Sequence, residues 1–558
     1  MDIFQKLEKV ILGEKIEIKR KLLLSSFFLF SLLSNLNAQV DSRFSTFDWT
    51  IFSKVNQITS ISEGYSHIYF AGDNAGILRY NKFSKRFDLP LTKGQGFKSD
   101  SVQHVYFDSS TGILWLIGNN FIENTQFFDG NWISRNLNDL GIKSGNQVFG
   151  IGSSEDYIWL DTAFGFLKLD HISGSLLGNY PYPDSSDIYW GDINERELQF
   201  QDINFDEYFI KDNWMLTKNG AYDQSGYFRK FLSFFEDSND NIWLGLEDGY
   251  ILFGEDFSKN ISVLKAGICC EFPQTLVVED NKIWISGASI SNFSISLIDN
   301  NFALLQEIVS EKYQVFNNQN FYSSLKVENE VWFGGDSQLL IYDISRDQFS
   351  EINEFDGVPI GRINNLKILD NFIWVSSSNG IAAFDKRTKK QVLSDLSSKV
   401  FLSNALVNDL EIISDDIYFL MNYKIFVFNE DSSELRELDL SSISLMNDKK
   451  ENILYSKLFF TNSKTIYLTQ KGIFLAEDNY LIPNSTFFGK RVFDILSIDD
   501  SIFIALEDGL MSINLNDYGI NFYYQFDFLK SIVKLYKIDN KLVLLSKNGL
   551  ISFNFKNE

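Results

Sequence analysis

Phe235-Glu236-Asp237-Ser238-Asn239-Asp240-Asn241-Ile242-Trp243-Leu244-Gly245-Leu246-Glu247-Asp248-Gly249-Tyr250-Ile251-Leu252-Phe253 decides the fold, because its pattern repeats along the chain. A polar turn leads to a branched residue beside an aromatic, and a Gly-led apolar strand follows. The same succession stands at Ile158-Trp159 with Gly165, at Ile283-Trp284, at Val331-Trp332, and at Ile373-Trp374 with Gly380. Copies recur at roughly 40 to 48 residues in most intervals, the length of a four-stranded propeller blade. Seven of the ten tryptophans, Trp115, Trp159, Trp214, Trp243, Trp284, Trp332 and Trp374, read as structural residues at one place in the unit. Tyr69, Tyr418, Tyr467 and Phe503 read as filling that place in weaker copies.

Side chains alternate along a strand, so the branched residue and the aromatic beside it face opposite sides of a sheet. Both faces are then apolar, and stacking of successive sheets covers them. The expectation is an all-β fold of β-propeller repeats with about twelve blade units, arranged as two six- or seven-bladed propellers. We place the amino-terminal propeller at residues 39–305 and the carboxy-terminal one at 306–558, with insertion of one propeller into the other as the alternative. The last unit, Ile532 to Phe553, is one strand short of a blade. Phe47, Trp49 and Ile51 alternate in the segment 44–52, which is expected to close that blade and remove two open edges.

Lys19-Arg20-Lys21, the apolar run Leu22 to Leu33 and the small residues ending at Ala38 have the order of a secretory signal peptide, residues 1–38. The apolar run is shorter than the ~20 residues that span a bilayer. Export to the periplasm or cell surface of a Gram-negative bacterium is expected. The chain carries 50 basic and 74 acidic residues, a net charge of −24, which disfavours nucleic acid and anionic membrane as partners. Such acidity admits calcium; otherwise no cofactor is expected. The run Asp237 to Asn241 lacks the Gly and terminal Glu of a calcium loop and reads as a hairpin turn.

Catalytic patterns are absent from the sequence. His67, His104 and His171 lie in separate units with no metal-ligand spacing, and no Gly-x-Ser-x-Gly nucleophile motif occurs. Cys269 and Cys270 are the only cysteines, and in an oxidising compartment the adjacent pair admits a vicinal disulfide.

Units such as Phe235 through Gly249 resemble the repeats of two-component regulator propellers, the periplasmic sensor halves of hybrid histidine kinases. The stretch Trp49 through Ile61 to Gly76-Ile77-Leu78-Arg79-Tyr80 is similar to the amino-terminal propeller of the PorZ family of the type IX secretion system. Regulator propellers continue into a transmembrane helix and kinase domains, and PorZ proteins into a sorting domain. The sequence ends at Glu558 after a strand, so signalling across a membrane is expected to need another chain.

The spacing from Trp159 to Trp214 is 55 residues, the longest between aromatic positions, and the extra segment carries Tyr180, Tyr182, Asp184, Asp187, Tyr189, Trp190 and Asp192. Aromatic faces beside carboxylates suit sugar or peptide stacking, and loops on rigid scaffolds carry binding. These seven residues are the expected binding site of a non-enzymatic module for a glycan, peptide or envelope protein. The alternative is an exported carbohydrate-active enzyme, a lyase or hydrolase, with its site at a propeller channel mouth; a third reading is a solo sensor.

Overall fold

The computed structural model describes residues 48–554 except 128–129, 143–146, 184–186, 195–204, 206, 212, 269, 289–293, 301–302, 310–319, 394–395, 397–404, 439–452, 518, 524–525 and 548. The signal segment therefore lies outside the described residues. Among those described, the strands form eleven sheets, antiparallel except where Phe209–Ile210 runs parallel to Asn260–Lys265, and most are four-stranded in simple sequence order. We number these blades 1 to 11, spanning 58–91, 102–136, 148–180, 228–265, 272–309, 323–353, 363–392, 407–437, 455–483, 492–522 and 532–554.

Adjacent residues of the repeated dipeptide do enter different cores. Ile283 and Ile285 pack back onto blade 11, whereas Trp284 packs forward against Phe333 of blade 6 and Phe321 just before it. Trp332 and Trp374 likewise face the next blade, and both are fully buried. Through such cores blades 5 to 11 close into one seven-bladed ring, with blade 11 against blade 5. The fourth strand of blade 11 is Trp49–Phe52, antiparallel to Gly549–Asn554 with Trp49 opposite Phe553. Their rings are 4.5 Å apart, and Tyr523, Phe526 and Phe528 surround Trp49. Gly549 has φ +134°, and a Cβ there would collide with the Phe52 carbonyl, so the closing hairpin requires glycine. The expected closure of the last blade by the amino-terminal strand is what the structure shows.

Residues 53–57 then cross to the second ring, made of blades 1 to 4. Ile268 N donates to Ser53 O at 3.2 Å, so the outgoing and returning chains run side by side. Lys54 meets Glu271 at 3.4 Å, and Lys265 of blade 4 meets Glu307 of blade 5 at 3.5 Å. The division expected at 305/306 falls inside the strand Leu304–Val309; the packing of blade 5 onto blades 6 and 11 puts the change of ring before Phe272.

Two aromatic positions differ from expectation. Trp214 is buried but precedes a short strand, Met215–Thr217, that extends the sheet of blade 4, and it belongs to no separate blade. It packs beside Tyr250 and under Arg229, whose guanidinium is 4.4 Å from the Tyr250 ring and bonded to Asp223. Tyr467 pairs with Leu458, the place held by Phe419 rather than Tyr418 in blade 8. That one-residue offset turns Tyr467 back toward Leu420 and Ile425 of the preceding blade.

Trp243 stacks on Phe253 at 4.1 Å and joins blade 4 to Phe70 and Tyr80 of blade 1. Trp243→Ala is expected to lower unfolding free energy by about 3 to 5 kcal/mol, measured by denaturant titration.

Candidate functional site

Blades 1, 2, 3 and 4 do not close their ring by themselves. Blade 4 packs on blade 1, but between blades 3 and 4 the chain inserts the segment following Tyr180. Tyr189–Trp190 pairs antiparallel with the inner strand of blade 3, with Trp190 opposite Gly152. Ile193–Asn194 pairs with the inner strand of blade 4. Six consecutive residues thus stitch two blades together, and Ile193, Phe205, Tyr208 and Trp214 cover the blade 4 face that lacks a neighbour.

The seven residues expected to bind ligand divide within this wedge. Asp192 is turned inward: its carboxylate accepts from Ser60 Oγ at 2.9 Å and from Ile61 N at 3.0 Å, both on the inner strand of blade 1. Gly191 N donates to Ile151 O, and the Tyr106 hydroxyl donates to Tyr189 O at 3.1 Å. Burial pushes the Tyr106 phenol up to about 12, so it stays a donor at neutral pH. Tyr180 and Trp190 both flank Phe166; Tyr180 also meets Trp159 at 5.9 Å, and Lys168 Nζ lies 3.8 Å over Tyr157. Tyr182 is 79% exposed and Tyr189 77%, with Trp190 at 42% and Asp187 also exposed. Asp184 lies outside the described residues.

A second constellation, which the repeat pattern did not reveal, lines the seven-bladed ring. In five blades the inner strand has a bulge after its first apolar residue, and a polar side chain follows at Asn365, Asp409, Lys457, Asp494 and Lys534. A bulge turns the strand and re-aims the side chain. Asn365 Nδ2 donates to Asp409 Oδ1 at 3.0 Å; Leu458 N of blade 9 donates to Asp409 Oδ2 at 3.0 Å, and Leu535 N of blade 11 to Asp494 Oδ2 at 2.7 Å. One layer along, Lys367 Nζ meets Glu411 at 2.5 Å. The short pattern apolar-x-polar-apolar, as in Val407-Asn408-Asp409-Leu410 and Val492-Phe493-Asp494-Ile495, is the sequence signal for this set.

These groups are partly reached by solvent yet surrounded by protein. Burial pushes the Glu411 carboxyl up to about 7, with Lys367 pulling down and Asp409 and Asp494 pushing up. Burial also raises Asp494 and lowers Lys534. Among the described residues no group of three or more metal-ligating side chains converges. His67 and His171 each face an aspartate, Asp88 at 2.7 Å and Asp108 at 2.6 Å, and His104 bonds Val148 O. The Asp237 run is a turn: its carboxylate accepts from Asn239 N, Asn241 N and Trp243 Nε1. Cys270 is buried between blades 5 and 11, and Cys269 lies outside the described residues, as does any bond between them.

No family model and no curated protein matches the chain. Among solved structures it is similar to the extracellular domain of BT3049 from B. thetaiotaomicron, described as a hybrid two component system. That match has 17% identity over 88% of this chain and 73% of the other, at a TM-score of 0.41. PorZ, a surface component of the type-IX secretion system of Porphyromonas gingivalis, matches at 11% identity over 91% and 87%, at 0.34. Virginiamycin B lyase from Staphylococcus aureus matches at 14% over 50% and 94%, at 0.38. Both groups that the sequence resembles are represented. No helix among the described residues is long and apolar enough to cross a membrane.

Two outcomes check this geometry. Asp192→Ala removes the acceptor for a buried main-chain N–H and is expected to cost about 1 to 3 kcal/mol by denaturant titration. Glu411 has a folded pKa raised above its unfolded value, so the folded state binds the extra proton. Its stabilising contribution is complete below about pH 4.5 and is lost as pH rises toward 7. Thermal melts across that window are expected to decline for the native chain and to flatten for Glu411→Gln.

Proposed function

We propose that the chain is an exported, non-enzymatic binding scaffold that holds a glycan, peptide or envelope protein against the aromatic segment of the four-bladed ring. The observation that carries this reading is the contrast within residues 180–192. Asp192 and Gly191 are bonded into the ring, while Tyr182 and Tyr189 stand largely in solvent. Aromatic side chains with few torsions, held on a fixed base, bind at low entropic cost. The channel of the seven-bladed ring supports the same reading, because Asp409 and Asp494 accept main-chain N–H groups from the next blade and so serve its cohesion.

One observation favours a second reading, the carbohydrate-active enzyme. Glu411, with its carboxyl pushed up to about 7 beside Lys367, has the ionisation expected of a general acid or base. A single experiment separates the two: the mature chain is exposed to a glycan array and an envelope extract, and both retained partners and cleaved products are recorded. The double variant Tyr182→Ala/Tyr189→Ala is expected to keep its stability within about 0.5 kcal/mol. It is expected to lose retention by roughly tenfold or more. Product formation abolished by Glu411→Gln would overturn the binding reading in favour of the channel.

A further inference from the structure

We propose that the cleft between blades 9 and 10 of the seven-bladed ring binds a small organic anion, one carboxylate carried on a hydroxylated body the size of a single sugar residue. The cleft has a volume of about 280 Å3 and opens beside the start of the two inner strands. Three cations line it: Lys457 from the inner strand of blade 9, and Lys490 and Arg491 from the connection between the blades. In a chain of net charge −24 such a gathering is against the average. Asp508 meets Lys490 at 2.7 Å, and Glu507 adds its charge nearby. Lys457 donates to Phe493 O and feels Asp494 on the neighbouring strand.

Among the described residues neither Lys457 nor Arg491 is in ion-pair contact with a carboxylate. Arg491 is exposed, with the planar fork of its guanidinium 5.1 Å from the Phe493 ring. That fork fits a carboxylate through two parallel bonds. The rest of the lining specifies the body of the ligand. Leu468, Phe487 and Val492, themselves buried in the core between the two blades, form its floor, and the volume of about 280 Å3 exceeds what an inorganic ion fills. Asn484, which donates one amide N–H to Gln470 O, lines the same cleft and partners hydroxyls. Ligand cavities start near 300 Å3, so this one takes a single residue rather than a chain segment. The site is independent of the aromatic segment, which belongs to the other ring.

The test is calorimetric titration of the mature chain with D-glucuronate, D-glucose and inorganic phosphate at low salt. Glucuronate is expected to bind, with glucose and phosphate at least tenfold weaker, and rising salt is expected to weaken it. Arg491→Gln is expected to lose roughly tenfold or more of the glucuronate affinity with an unchanged melting temperature. Binding of phosphate as tight as glucuronate would reduce the cleft to a general anion site and overturn the assignment. So would an absence of glucuronate binding, or an Arg491→Gln variant that binds it undiminished.

Discussion

A sheet with two apolar faces cannot stand alone in water, and every large feature of this molecule answers that constraint. The alternating dipeptide Ile283-Trp284 sends one residue to blade 11 and the next to blade 6, so each blade is half of two cores. A row of such blades has uncovered faces at its ends unless it closes. The seven-bladed ring closes by bringing blade 11 onto blade 5 and by taking its last strand, Trp49–Phe52, from the start of the described chain. The four-bladed ring cannot close on regular blades, and the wedge after Tyr180 supplies the missing cover for blade 4.

Ring closure also explains where the polar groups sit. The inner strands line the channel of the seven-bladed ring, and their bulges aim polar side chains into it. There Asp409 and Asp494 take up N–H groups of the following blade, just as Ser60 Oγ and Ser62 Oγ accept from Val105 N and Phe107 N in the other ring. The carboxylates therefore act between blades as hydrogen-bond acceptors. Burial is what chiefly raises Glu411; Lys367 opposes it, and the neighbouring Asp409 and Asp494 carboxylates add to it.

The blade repeat was legible because burial on both faces forces a visible periodicity on every copy. The exceptions were illegible for equally physical reasons. Trp214 satisfied the spacing of a repeat residue while packing against Tyr250 and Arg229 from an extension strand, and sequence spacing does not distinguish the two. Tyr467 lay one residue from its expected place, where a single step exchanges the faces of a strand. The ring boundary carried no linker signal because the two crossings, near Ser53 and Ile268, are hydrogen-bonded to one another and read like any other connection. Of the segment proposed to bind, its length and aromatic content were visible; that Asp192 anchors it was not, because Ser60 lies far away in sequence. The channel polar residues do follow a pattern, but only the paired inner strands show that it has one purpose.

The wedge between blades 3 and 4 is where the repeat relaxes its hold on sequence. Residues in a blade are constrained by partners on both faces, so a change at Trp159 or Trp243 disturbs a core. In the wedge, Gly191, Asp192 and Ile193 are held by ring contacts, whereas Tyr182 and Tyr189 project from them with little protein around them. Anchoring and display are thus assigned to different residues of one short segment, and the displayed ones are open to exchange without cost to the ring. A rigid scaffold with one such segment can alter what it binds while keeping how it folds.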